Sequence, residues 1–342
     1  MATNKLPNTM KVVHQVDPKT SQLRLDKSSL PTPSGSDEHL IQVKATSPCL
    51  GELAWEVNFP DLFPKDRERV PCTECAGIVV SSPDSNGPFK PGDEVFFRLH
   101  ARAPGCLREY TIANTSQIAL KPKSLGWIEA AATPLSSLTA YQGLFHHGLL
   151  DKKALSGDRE ALDKNAKLRV LITGAGGGVG SWATQLAAAA GAGAIIAVCG
   201  PSKAEDVRKA GATEIVDYTK GSIQDWVGEE DESRLCDMAL DCVGGSSLAG
   251  CWSAVKENGI LLSVAESPDS QKPVSLDKKL AKSTWFLMDT SGSDLTEIAN
   301  VIEAGKASPW IDSVLEFEEF DEAFKKVESG KPKGKVVIKV AC

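Results

Sequence analysis

The run Leu171-Ile-Thr-Gly-Ala-Gly-Gly-Gly-Val-Gly180 narrows the folds open to this 342-residue chain more than any other segment. An apolar stretch, Leu168 to Ile172, enters a glycine cluster, and a helix-forming run, Ser181 to Ala190, leaves it. That order reads strand, tight turn, helix. Glycines let the backbone turn sharply and come close to a pyrophosphate, while the open N–H groups at a helix N-terminus attract its charge. Ala175 stands where the first glycine of a G-x-G-x-x-G run would, ahead of Gly177 and Gly180. Such a loop on its own also fits a plain turn before a buried helix, so the neighbouring segments must decide.

They repeat the unit. Gly193 to Cys199 is a short, continuously apolar run bounded by glycine, Lys203 to Ala210 a polar helix, and Gly211 to Tyr218 a third strand with its turn. Arg234 to Val243 and Gly259 to Val264 supply a fourth and a fifth. Strands alternating with helices imply right-handed crossovers and a doubly wound parallel sheet, with a dinucleotide at the carboxyl ends of the strands. The predicted nucleotide-binding domain covers 127–289.

The end of the second strand sets the cofactor. An acidic residue there would accept hydrogen bonds from an adenosine ribose and favour NAD. Here Cys199-Gly-Pro-Ser-Lys203 carries no carboxylate before Glu205. Ser202 can donate a hydrogen bond and Lys203 supplies a charge, which suits a ribose 2′-phosphate and hence NADP or NADPH. Lys203 as a solvated residue opening a helix is the plain alternative.

Charge and composition remove other classes of function. The net charge is −7 with both signs interspersed and no basic block, so no nucleic acid partner is expected. No apolar run approaches the ~20 residues that span a bilayer, so no membrane role is expected either. Nine scattered cysteines read as reduced thiols of a cytoplasmic protein. The amino terminus lacks a signal peptide's apolar core, and Val340-Ala-Cys342 is no peroxisomal address.

The flanks form a second, β-rich domain. Met10 to Val16, His39 to Ala45, Val70 to Ser82, Asp93 to Arg98 and Cys106 to Ile112 are short strand-like runs between Pro- and Ser-rich turns, which predicts a small barrel. Lys335 to Val340 closes it. Asp151 to Lys167, charged and almost without large apolar residues, reads as a surface insertion.

Five segments in this order resemble one family. The barrel, Ala130-Ala-Ala-Thr-Pro-Leu-Ser-Ser-Leu-Thr-Ala-Tyr141, the glycine loop, Gly211-Ala-Thr-Glu-Ile-Val-Asp-Tyr218 and Gly334-Lys-Val-Val-Ile are together similar to the medium-chain dehydrogenase/reductase superfamily, nearest its zinc-independent quinone oxidoreductase and enoyl reductase branch. The resemblance implies a Rossmann domain beside a GroES-like catalytic domain of 1–126 plus 290–342, a cleft between the two, and an edge strand near 283–289 that pairs across a homodimer. Zinc-dependent members hold the metal on three side chains. Cys49 occupies the first ligand position, but Cys72-Thr73-Glu74 replaces the expected Gly-His-Glu and Leu135 replaces the third ligand. Cys72-x-x-Cys75 has no second pair, so no metal is expected.

The resemblance also assigns residues to the cofactor. Thr139 would border the nicotinamide, and Ala175, Gly176, Gly177, Gly178, Val179 and Gly180 would hold the pyrophosphate. Ser202, Lys203 and Tyr218 would surround the 2′-phosphate. Val264 and the segment carrying Phe286 and Met288 would offer backbone to the amide, and Lys335 would reach the phosphates. Without a metal, the small-molecule substrate must already be polarised, as a quinone or an alkene conjugated to a carbonyl is. The tyrosine that often donates the proton is replaced by Ala54 and Trp55. That leaves Glu52, beside Cys49, or solvent as proton source, and Glu52 as a plain structural carboxylate stays open. A zinc-free alcohol or ketone oxidoreductase, a trans-acting enoyl reductase of a biosynthetic pathway and a non-catalytic NADPH-binding protein remain as alternatives.

Overall fold

The computed structural model describes residues 6–228 and 232–340. The terminal residues 1–5 and 341–342, which enter the targeting argument, lie outside the described residues. The chain divides into two compact units. One comprises the residues up to Leu135 together with Asp289–Asn300 and the residues from Trp310 on, and the other comprises Ser136–Met288 with Val301–Pro309.

In the first unit the strands are β1 (Thr9–Gln15), β2 (Leu23–Ser29), β3 (Glu38–Ser47), β4 (Glu74–Ser81), β5 (Glu94–Arg98), β6 (Tyr110–Asn114), β7 (Ile118–Leu120), β14 (Ile311–Leu315) and β15 (Lys335–Lys339). β1 and β2 pair alone, while the other seven form a sheet in the order β14-β15-β3-β4-β5-β7 with β6 on β3. β3 sits between β15, β4 and β6, which is why Leu40, Ile41, Val43 and Ala45 are all buried. Ile41, Val43, Val95, Phe97, Leu107 and Ile338 belong to its core. β6 begins at Tyr110, four residues after the start expected at Cys106. Cys106 and Leu107 instead donate their N–H groups to Cys72 and Pro71.

The second unit has β8 (Arg169–Ile172), β9 (Ala194–Cys199), β10 (Glu214–Asp217), β11 (Cys236–Asp241), β12 (Val255–Ser263) and β13 (Lys282–Trp285). All pair in parallel in the order β10-β9-β8-β11-β12-β13, a doubly wound sheet whose order reverses beside β8. Central strands of such a sheet are covered on both faces, so Val170–Ile172 and Met238–Leu240 run apolar without alternation.

Two readings need correction. The helix Trp127–Ala131 and the residues to Leu135 belong with the first unit, because that helix packs on β3, β4 and β15. The segment 151–167 is more than a surface insertion. It holds a turn of helix at Lys152–Ser156 and a helix at Arg159–Asn165 with Ala154, Leu155 and Ala161 buried. Asn165 is fully enclosed and ties Asp151 to Ala190 through its side-chain amide.

Candidate functional site

β8 leads into the glycine loop, and the loop's geometry follows from its contacts. Gly174 has a φ of 59°, a left-handed conformation that favours glycine. The N–H of Gly177 closes on the Gly174 carbonyl at 2.8 Å, and Gly177 caps the helix Gly178–Ala189. A Cβ at Gly180 would collide with the Gly174 carbonyl, so glycine here lets the helix start directly on the turn. Ala175 is buried and donates to Val198 at 3.1 Å, anchoring the loop to β9. Gly178, Val179 and Gly180 occupy the first helical turn, whose N–H groups have no acceptor within the helix. Every residue from Gly180 to Ala187 is buried, so the body of that helix is enclosed on all sides.

The second strand's end comes to this loop. A Cβ at Gly176 would overlap the aliphatic stem of Lys203, so the loop and Lys203 lie against each other. Ser202 and Lys203 sit in the single turn Pro201–Lys203. Tyr218 is 63% exposed, and its hydroxyl lies over Gly200. A cavity of about 540 Å³ beside that turn is lined by Pro201, Ala204, Arg208, Asp217 and Lys220. Arg208, one helical turn after Ala204, thus adds a cation near the end of β9 that sequence reading missed.

A second missed feature locks the strand ends. Asp241, the last residue of β11, is fully buried and accepts hydrogen bonds from Thr173 Oγ1 at 2.7 Å, Ser263 Oγ at 2.9 Å and the Gly244 N–H at 2.9 Å. One carboxylate therefore ties the carboxyl ends of β8, β11 and β12 together where the loop begins. Val264 and Phe286 follow those ends, with their N–H groups engaged by Asp241 and Ser263 carbonyls. The Phe286 ring packs on His147 with centroids 4.6 Å apart, Met288 is half-buried, and Thr139 is buried in the helix Pro134–Tyr141. The glycine turn, the free helix end and the lysine beside it fit a dinucleotide, with the first helical turn facing the pyrophosphate.

The remaining assigned residues belong to the first unit. Cys49 and Glu52 precede and open a short helical turn, Glu52–Ala54. Burial pushes the Glu52 carboxyl up to about 8, although Lys335 and the backbone N–H groups of Cys72 and Cys49 pull it the other way. Its Oε1 accepts the Cys72 N–H at 3.2 Å. Cys72 has a φ of 64°, a conformation non-glycine residues seldom adopt, and Glu52 braces it. Burial also pushes the Cys49 thiol up to about 12. A cavity of about 10 Å³ lined by Glu52, Thr73 and Arg67 has room for one water molecule.

Lys335 is not placed as the sequence implied. It is 7% exposed, and its Nζ lies 2.7 Å from Glu74 Oε1 and donates to the Pro48 carbonyl at 3.1 Å. As the first residue of β15 it points inward across β3, so its ammonium is committed to Glu74 and does not reach for a phosphate. Burial alone would lower its proton affinity, but Glu74, with Cys49 and Glu52, raises it above the ordinary lysine value. Glu74 Oε2 accepts the Leu135 N–H at 2.7 Å. The donor set does not fit zinc: Cys49 is joined by the Thr73 hydroxyl, the Leu135 side chain and a resident ammonium. Among the described residues no three His, Cys, Asp or Glu side chains are placed to hold a metal.

Comparison with known proteins agrees with this architecture. Residues 35–133 match the alcohol dehydrogenase GroES-like domain family and residues 210–338 the zinc-binding dehydrogenase family. A protein of Arthroderma benhamiae named as a probable zinc-binding oxidoreductase, mitochondrial, is 42% identical over 99% of this chain and 99% of its own length. The mouse NAD(P)H oxidoreductase RTN4IP1, mitochondrial, is 35% identical over 80% of this chain and 72% of its own. A tomato 2-methylene-furan-3-one reductase is 32% identical over 79% of this chain and 63% of its own. The structure of a quinone oxidoreductase from Coxiella burnetii superposes with a TM-score of 0.77 at 22% identity, covering 97% of this chain and 100% of that one, which shows the shared fold. Among the described residues no helix is long and apolar enough to cross a membrane.

Proposed function

Because this chain belongs to the medium-chain dehydrogenase/reductase superfamily, in its quinone oxidoreductase branch, and is an oxidoreductase that uses a nicotinamide cofactor, we propose that it reduces an activated C=C bond or a quinone with NADPH and without zinc. The observation that carries this reading is the site around Glu74. Where a zinc-dependent relative needs a third ligand there is Leu135, and the space beside Glu74 holds the Lys335 ammonium. An acceptor that requires no Lewis acid is one already polarised by conjugation. The tomato relative is named for such a compound, an alkene conjugated to a ketone.

Bound NADPH would supply the hydride. The chain's own residues then have two tasks. Ser202 and Lys203, with Arg208 nearby, take the 2′-phosphate, since no carboxylate stands in that turn to favour a free ribose. Glu52 keeps a proton near neutral pH and can donate it to the α-carbon as hydride adds to the β-carbon, so that the substrate gains both atoms of hydrogen. Recharging from solvent restores the carboxylic acid.

The proposed homodimer rests on β13, which ends the parallel sheet and whose four residues are all half-buried, leaving one edge for a second copy. We place the protein in the cytoplasm, where its free thiols would stay reduced. The fungal relative's name gives mitochondria instead, and cell fractionation decides between them. The activity is tested by following NADPH oxidation against quinones, enones and simple ketones. Turnover confined to simple ketones, or dependent on added zinc, would overturn the proposal.

A further inference from the structure

Arg98 ends β5 in a position that ordinarily satisfies a guanidinium. The registers Ser47↔Glu74 and Glu74↔Arg98 set these three residues side by side on one face of the sheet. An arginine directly across from a glutamate is expected to form a bidentate pair. Glu74 turns elsewhere: its Oε1 lies 2.7 Å from the Lys335 Nζ and its Oε2 accepts the Leu135 N–H. Ser47 Oγ donates to the Val336 carbonyl. Arg98 is 8% exposed, its Nε is sealed from solvent without an acceptor, and its side chain makes no hydrogen bond or ion pair with any described residue.

A guanidinium carries five N–H donors, and enclosing it with the Nε–H sealed and unmatched is costly. The groups whose charge it senses are Cys49, Glu74, Glu52 and the exposed Asp289. Burial favours the neutral forms of the Cys49 thiol and the Glu52 carboxyl. Two cationic side chains, Lys335 and Arg98, flank Glu74, and of the two only Lys335 is paired with it. An enclosed guanidinium that no carboxylate bonds is placed to take an anion from outside the chain.

We propose that Arg98 anchors an anion-binding subsite beside Cys49 and Glu52, taking a carboxylate group of the substrate. A carboxylate matches the planar fork of a guanidinium with two parallel hydrogen bonds and supplies the anionic partner that Arg98 is without. The assignment rests on the proposed reaction only in calling the ligand a substrate; the subsite itself follows from Arg98 and Glu74.

The test uses the full chain without cofactor, so its outcome is independent of whether any alkene is reduced. Sodium formate is titrated by calorimetry and thermal melting against sodium chloride at equal ionic strength, against the neutral isostere formamide, and against inorganic phosphate. Formate should bind and raise the melting temperature, while formamide and chloride should not. Arg98→Met should weaken formate binding at least tenfold without lowering the melting temperature of the free protein, because it removes an unmatched charge. Equal responses to formate, formamide and chloride would overturn the subsite, and this arm needs no variant. Phosphate binding with formate inert would overturn the carboxylate assignment, and an Arg98→Met protein that binds formate as the unmutated chain does would overturn the role of Arg98.

Discussion

Replacing Glu52 by Gln isolates the most perturbed carboxyl near the candidate catalytic residues. The amide keeps an oxygen to accept the Cys72 N–H, which lies 3.2 Å from Oε1, and it cannot ionise. In the unmutated protein burial holds this carboxyl at about 8, against an ordinary value of 4.5. Between those two values the folded chain keeps a proton that the unfolded chain has released. Stability from this group is therefore fully present below pH 4.5, falls as pH rises through the window, and is gone above about 8. The whole loss is on the order of 4–5 kcal/mol, from ~1.4 kcal/mol for each tenfold difference in proton affinity. Urea unfolding at pH 5 and pH 9 measures it: Glu52→Gln should lose less stability than the unmutated chain by several kcal/mol. The same acid should give the reduction rate a descending limb near pH 8, with turnover about 10²-fold lower in Glu52→Gln. Parallel stability profiles would refute the burial argument, and an unchanged rate would assign the proton to solvent.

Lys203→Ala should narrow the preference for NADPH over NADH by roughly ten- to a hundredfold, the worth of a charge-assisted contact of ~1.5–3 kcal/mol, as read by cofactor titration. Equal affinity for both cofactors in the unmutated chain would contradict the 2′-phosphate assignment. Lys335→Met should destabilise by about 3–5 kcal/mol in urea, because it breaks the buried Lys335–Glu74 pair, and adding Glu74→Gln should recover part of that loss. Purified protein should carry far less than stoichiometric zinc, and chelators should leave its activity intact; inactivation reversed by added zinc would move it among the metal-dependent dehydrogenases.

The legible parts of the molecule are those written in short stretches of chain. The glycine loop, the helix after it and the apolar strands β8, β9 and β11 follow from local chemistry, and so does the missing carboxylate after Cys199. What escaped depends on register and direction. Nothing adjacent to Lys335 says that its ammonium turns inward to Glu74, 261 positions away in the chain, since β15 meets β3 only through the fold. Arg98 closes a run, Val95-Phe96-Phe97, that reads as an ordinary strand, and its lack of a partner emerges only when the pairing with Glu74 is known. Asp241 left a signal that could have been used, a single acid ending the apolar run Met238-Ala239-Leu240. Such a carboxylate at the carboxyl end of a buried parallel strand must find donors, and it found Thr173 and Ser263.

In the proposed reaction hydride reaches a conjugated carbon without metal assistance. Turnover of an enone with NADPH carrying deuterium at the transferred position tests it most directly, with the product's label located by NMR. Deuterium is expected on the β-carbon and, in deuterated water, a second label on the α-carbon. Deuterium on the carbinol carbon of an allylic alcohol would instead mean direct carbonyl reduction and would contradict it.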